Sequence, residues 1–175
     1  MTRRVPDPTD RLCFREYTAD DLDLVSELFD DDQALQFYPK MDRASGHRSW
    51  IEWNLANYRD HGFGLWVIER IDDGSPLGDC GLTFQNVAGD EMLEIGYHLI
   101  ERHRGLGYAT EAATACRNYA FDVVGAEVVC SIVDPRNESS VSVASRIHDG
   151  RTSFVNKDGD AMFLFETERG RHCRG

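Results

Sequence analysis

Residues Ile100 to Ala112 read IERHRGLGYATEA, with Arg102 and Arg104 ahead of two glycines spaced G-x-G and an alanine-rich helical pattern running on from them. The first amides of a helix have no intrahelical partners and carry about half a positive charge from the macrodipole. Glycines directly before such a start let the chain fold those amides into a cradle, and no side chain blocks an approaching phosphate. Neighbouring arginines add charge-assisted donors for phosphate oxygens. The chemistry on offer is anion binding, which gives an acidic chain a reason to gather cations here. Taken alone, the same spacing also suits a tight strand-to-helix turn with solvated arginines. Two phosphate-binding patterns are excluded. No G-x-x-x-x-G-K-[ST] occurs, and the third residue after Gly107 is Thr110, not the last glycine of G-x-G-x-x-G.

The turn needs a strand before it and a helix after it. Residues 91–100 (EMLEIGYHLI) follow two other strand-like runs, 64–71 and 76–85, with turn signals at DDGSP and NVAGDE between them. That spacing predicts an antiparallel meander, which disfavours a dinucleotide fold. Beyond the turn, Ala109, Ala112, Ala113, Cys116, Ala120 and Val123 trace a stripe of mostly small residues ending at Gly125, so the helix can lie close against a sheet. Upstream, 11–18 alternates as a half-buried strand does. Thr18 is then the expected N-cap of a helix with Leu22, Val25, Leu28 and Phe29 on one face. A second helix places Ile51, Leu55 and Tyr58 together and stops at Gly62. Downstream, 126–134 is a continuous apolar run, as in a strand buried on both faces. Asn137 caps a shorter helix with Ser140 at its third position and Val141, Ala144 and Ile147 inward. A last hairpin turns at KDGD. The order β-α-α-β-β-β-α-β-α-β-β is a mixed α/β fold of the α+β type, expected as one domain over residues 1–175 with a core at 11–168 and flexible ends.

The net charge of −12 argues against non-specific binding to nucleic acid or anionic membrane. Lysine occurs only at Lys40 and Lys157, and aspartate outnumbers glutamate, as on proteins of salt-loving organisms. An ordinary acidic protein from a GC-rich genome would look similar. The N-terminal residues carry charge but no apolar core region, so no signal peptide is expected, and no run is apolar enough to span a membrane. Cysteines at 13, 80, 116, 130 and 173 form no C-x-x-C. They suggest core residues in a reducing cytoplasm, with neither a metal site nor a disulfide framework.

RHRGLGYA resembles the [QR]-x-x-G-x-[GA] signature of GNAT-type N-acetyltransferases, with Arg102, Gly105 and Gly107 on its defining positions. EIGYHL before it and GYATEA after it are similar to the branch of ribosomal-protein N-terminal acetyltransferases and their small-amine relatives. DPRNESSVSVASRI resembles that branch's second motif, an Asn three residues before a Ser. The resemblance implies the GNAT fold: a mostly antiparallel twisted sheet splayed between its fourth and fifth strands, with about four helices.

It also implies acetyl-CoA as donor. The pyrophosphate would rest on the amides of Arg102, His103, Arg104, Gly105, Leu106, Gly107, Tyr108, Ala109 and Thr110. The pantetheine arm would lie along Tyr97, His98, Leu99 and Ile100 in the splay, where a backbone N–H can polarise the thioester carbonyl. No metal is implied. A neutral amine would attack directly, so one group must take a proton from the amine and another must serve the leaving sulfur. Glu94 is the candidate base, with Glu111 its rival. Asn137 and Ser140 are candidates for the sulfur side. One departure stands out: RIHDG puts His148 where the family's turn has glycine.

On the acceptor side, Phe37, Tyr38, Trp50 and Trp53 either line the cleft or are core aromatics. The leading reading is acetyl transfer to a protein N-terminal α-amine. A small amine such as an aminoglycoside or polyamine, and a non-catalytic CoA-binding module, are the alternatives. A homodimer is compatible with the fold.

Overall fold

The computed structural model of the chain describes residues 5–38, 41 and 44–170. The expectations for residues 1–4 and 171–175, Cys173 among them, fall outside that range. Seven strands form one sheet in the order β1-β2-β3-β4-β5-β7-β6, namely β1 (Leu12–Arg15), β2 (Leu65–Arg70), β3 (Pro76–Val87), β4 (Asp90–Leu99), β5 (Val128–Val133), β6 (Gly150–Val155) and β7 (Ala161–Glu168). Every neighbouring pair is antiparallel except β4 and β5, which run parallel and meet at the single pair Glu94–Cys130. Beyond it the backbones diverge, because side chains take over the ladder: Ser131 Oγ donates to the Ile95 carbonyl (2.9 Å), and the Ile132 amide donates to Glu94 Oε1 (3.3 Å). The expected splay between the fourth and fifth strands is therefore present, with its hinge at Glu94.

Five helices flank the sheet among the described residues: α1 (Leu22–Leu28), α2 (Asp32–Phe37), α3 (Ala44–His61), α4 (Tyr108–Tyr119) and α5 (Glu138–Ile147). The stripe on α4 works as its composition suggests: Ala112, Ala113, Cys116 and Ala120 are fully buried, and the helix packs on β3 and β4. Its last turn widens into a π turn over Ala120–Val124 before Gly125 ends it in the left-handed region. β3 is held equally close to β4, since a Cβ on Gly78 would lie 2.0 Å from the His98 carbonyl. One core joins Leu12, Trp66, Leu82, Ile95 and α4; a second joins Val25, Leu28, Phe29 and Ile51 beneath the first three helices.

Three sequence expectations change. α2 was not anticipated; its six residues are too few to show a helical period. Thr18 does not cap α1. The helix starts at Leu22, and the Thr18 amide and hydroxyl instead donate to Asp21 (2.7 and 3.1 Å), whose carboxylate also binds Arg15. Leu55 faces outward at 37% exposure, and Asn54 takes the buried place because its side chain satisfies the Leu65 amide and the Trp50 carbonyl. The altered exit suggested by RIHDG is present: α5 runs into β6 with no glycine turn, and His148 leaves the helix in extended backbone.

Candidate active site

The turn before α4 puts Gly105 and Gly107 at φ 77° and 83°, a region that non-glycine residues avoid, and α4 starts at Tyr108. A groove of about 1040 Å³ runs along this start, with Arg104, Gly105, Gly107, Ala109 and Thr110 in its wall and Asn137, Ser140 and Arg146 facing them from α5 and its cap. Tyr97, His98 and Leu99 line the same groove, and the remaining candidates lie outside its wall. Ile100 is buried in the second core, Tyr108 is buried with the Arg11 guanidinium 4.4 Å above its ring, and Arg102, His103 and Leu106 stand outside the wall.

Both arginines of the motif already hold carboxylates. Arg104 donates to Asp31 (2.7 and 3.0 Å), to Gln33 (3.1 Å) and to the Leu99 carbonyl (3.0 Å), while Arg102 pairs with Glu27. In a chain this acidic, α1 and α2 supply the counter-charges. Glu111 likewise accepts from Arg11 Nε (2.7 Å), the Arg11 amide (3.1 Å) and Thr9 (2.6 Å). Despite partial burial, which acts to raise it, these donors hold its carboxyl below the usual range. Through these contacts Glu111 ties the N-terminal segment to the start of α4.

Glu94 lines a second cavity, of about 570 Å³. Burial pushes its carboxyl pKa up, and the Ile132 amide, His98 and the Thr83 hydroxyl only partly oppose this. Phe37, Tyr38, Trp50 and Trp53 all line the same cavity, with Asp134, Asp158 and Asp160 also in its wall. The two cavities share Phe37, Tyr38, Tyr97, His98, Asn137 and Ser140. There the Tyr97 hydroxyl donates to the Ser140 carbonyl (2.9 Å), bracing β4 against α5. The Asn137 side chain caps α5 by accepting from the Ser140 amide (3.2 Å), as the spacing predicted.

Sequence reasoning missed a buried chain of polar groups at this junction. Asp79, fully buried on β3, accepts from Tyr17 (2.7 Å) and Trp50 Nε1 (2.9 Å), and its other oxygen lies 2.6 Å from His98 Nδ1. His98 Nε2 is 2.9 Å from the Tyr38 hydroxyl. The available signal was a lone aspartate in the otherwise apolar PLGDCGL. At the opposite side of the splay, His148 lies 2.9 Å from Ser131 Oγ and 3.2 Å from Thr167 Oγ1. Burial pushes its pKa down to about 4, so it sits neutral where a glycine was expected.

Among the described residues no group of three or more His, Cys, Asp or Glu is placed to hold a metal, and no helix is long and apolar enough to cross a membrane. Cys80, Cys116 and Cys130 are free and buried, and Cys13 is half-buried.

A sheet opened between parallel β4 and β5, with a glycine cradle at the following helix, defines an acyl-transferase class of site. Residues 11–148 match the acetyltransferase (GNAT) domain, and the chain belongs to that family of acetyl-CoA-dependent enzymes. It is 34% identical to the uncharacterized protein YkkB of Bacillus subtilis (strain 168), over 90% of this chain and 92% of that one. The fold superposes on an acetyltransferase of Agrobacterium tumefaciens str. C58 with a TM-score of 0.79 and 25% identity, covering 93% and 94% of the two chains. It also superposes on a ribosomal-protein-S5-alanine acetyltransferase of Vibrio fischeri with a TM-score of 0.70; at 13% identity over 94% and 97%, that likeness is one of fold.

Proposed function

We propose that this acetyltransferase moves the acetyl group directly from acetyl-CoA to a primary amine, and that the amine is a protein N-terminal α-amine. The observation that carries the reading is the meeting of two cavities at one shared wall, the glycine cradle in one and Glu94 in the other. The cradle fits a diphosphate: its two left-handed glycines leave the first amides of α4 uncovered, and a Cβ at Gly105 would find open space. The backbone amides of residues 105–110 would hold that group, since the Arg104 amide already donates to the Glu101 carbonyl (3.1 Å), and Arg146 is better placed than Arg102 to add charge. Once bound, the donor supplies an activated thioester carbonyl.

Glu94 takes the proton of the incoming ammonium, directly or through water. Burial raises its pKa and so makes it a stronger base for that proton than an ordinary carboxylate. Of the backbone groups at the splay, the Ile100 amide already donates to the Leu77 carbonyl (3.0 Å), and by strand alternation the His98 amide also faces β3, which leaves the amides of Tyr97 and Leu99 as candidate donors to the carbonyl oxygen. Asn137 and Ser140 stand on the shared wall, where the sulfur would depart. A second reading, a small polycationic amine, is favoured by the carboxylates of Asp134, Asp158 and Asp160 in the acceptor wall.

The test is free-thiol release from acetyl-CoA with three acceptors: a hexapeptide with a free N-terminal alanine, spermidine and an aminoglycoside. It is run at low and at molar salt, since a cytoplasm rich in salt would suit this composition. Fastest release with the peptide supports the α-amine. Fastest release with a small amine moves the assignment, and no release with any of them overturns it.

A further inference from the structure

Asp79, His98 and Tyr38 form a line from the core to the junction of the two cavities. Asp79 sits on β3 directly opposite His98 on β4, a pairing fixed by the sheet register, and Gly78 keeps the two strands close. Asp79 carries three contacts and is fully buried. A carboxylate can only accept, so the facing His98 Nδ1 carries its hydrogen. In a neutral imidazole the other nitrogen is then an acceptor, and the group facing it is the Tyr38 hydroxyl. The phenol therefore donates inward to His98 and turns its oxygen lone pairs toward the space where donor and acceptor meet. Rings of Phe29, Trp50 and Tyr38 pack around the imidazole at 4.9 to 5.8 Å between centroids, so its plane is held. The titratable groups around it are Asp79 on β3, Tyr38 at the end of α2, and Glu94 on β4 itself.

We propose that Tyr38 is a catalytic residue that takes the proton leaving the acceptor nitrogen as the new C–N bond forms, with His98 and Asp79 as the positioning residues that make it able to do so. The reading rests on the acetyl transfer assigned above. One proton passes from the nitrogen to the Tyr38 oxygen while the phenol's own proton passes to His98 Nε2. Tyr38 stays neutral throughout, and the imidazolium that forms lies against the Asp79 carboxylate. The electron pair of the broken C–S bond leaves with the sulfur. After the products depart, His98 returns its proton through Tyr38 to the solvent-filled cavity. A free phenolate is not needed. Burial, with Glu94 and Asp79 nearby, raises the Tyr38 pKa and so opposes one. Glu94 and the relay thus divide two tasks, the first freeing the amine before attack and the second relieving the charged nitrogen after it.

The test uses the full chain, Tyr38→Phe and Asp79→Asn, with whichever of the three probe amines gives the fastest thiol release. Tyr38→Phe is expected to lower kcat about 100-fold or more, with the KM for acetyl-CoA and the calorimetric affinity for coenzyme A unchanged. It should also abolish the pH-dependent limb that the relay gives kcat. Imidazole nitrogen NMR of the unmutated chain is expected to show His98 in the Nδ1–H form, and Asp79→Asn to lose that form with a comparable fall in kcat. A Tyr38→Phe enzyme within threefold of the parent kcat and with the parent pH profile overturns the relay, as does an Nε2–H His98 in the parent. No turnover by the parent with any amine overturns the acetyl-transfer reading instead, and the relay's catalytic role with it.

Discussion

Asp31 accepts from Arg104 through both carboxylate oxygens, at 2.7 and 3.0 Å, while its Oδ1 also caps α2 by accepting from the Ala34 amide at 2.9 Å. One side chain thus joins the glycine turn to the short helix that Tyr38 follows. The pairing depresses the Asp31 carboxyl pKa; burial works against this, and Arg104 and the Ala34 amide outweigh it. Replacing Asp31 with alanine removes the cap and frees the guanidinium. The expected cost is about 1–2 kcal/mol in chemical denaturation, with slower thiol release because α2 no longer fixes Tyr38. An unchanged unfolding midpoint would show that Asp31 ties nothing together.

Glu94→Gln keeps the shape at the hinge of the splay and removes the base. Thiol release should fall about 100-fold or more, with the calorimetric affinity for coenzyme A within twofold of the parent. The acid limb of the kcat/KM profile should disappear with it, because the carboxyl that titrates there has gone. Full activity in this variant would transfer the first proton step to another group.

Gly107→Ala places a side chain at φ 83°, where an L-residue costs about 1–2 kcal/mol. Its Cβ would also come within 3.5 Å of Arg11 Nη2 at the cradle. Coenzyme A should bind at least tenfold more weakly by calorimetry. Gly74→Ala is the control: at φ 68° in the turn between β2 and β3 it carries similar backbone strain, and its affinity should not change. Equal losses of affinity in the two would trace the effect to general destabilisation.

His148 gives the fold a pH dependence of definite sign. Its folded pKa, about 4, lies below the roughly 6.5 of a free imidazole. The unfolded chain therefore binds the proton first, and stability present above about pH 6.5 is lost as pH falls toward 4. The full window corresponds to about 3 kcal/mol. Glu94, whose carboxyl is raised, acts in the opposite direction, and Glu111 and Asp31 act only below the ordinary carboxylate range. The measurement is therefore the difference between the parent and His148→Gln in urea midpoints from pH 4.5 to 7. The parent should lose stability more steeply on acidification, and parallel curves would contradict this.

The alternation of 11–18, the meander turns and the alanine stripe were readable because each depends on neighbours close in sequence. So was the Asn137 cap, three residues from the amide it accepts. The chemistry-bearing pairs were not readable. Asp79 meets His98 only through the β3–β4 register, and Tyr38 reaches them from a helix too short to have a visible period. The motif arginines pointed to a cation-rich anion site, yet their partners Glu27 and Asp31 lie more than seventy positions away. Leu55 and Asn54 exchanged places because two backbone groups needed the amide, a demand that hydrophobic spacing does not record.

The two cavities touch along only six residues. A synthetic conjugate with a peptide amine tethered to the coenzyme sulfur by a two-carbon bridge would cross this shared wall and reach into both chambers together. Its halves would lose their freedom once rather than twice, so it should hold on far longer than either fragment. The wall common to both chambers would then serve as a ruler for inhibitor length.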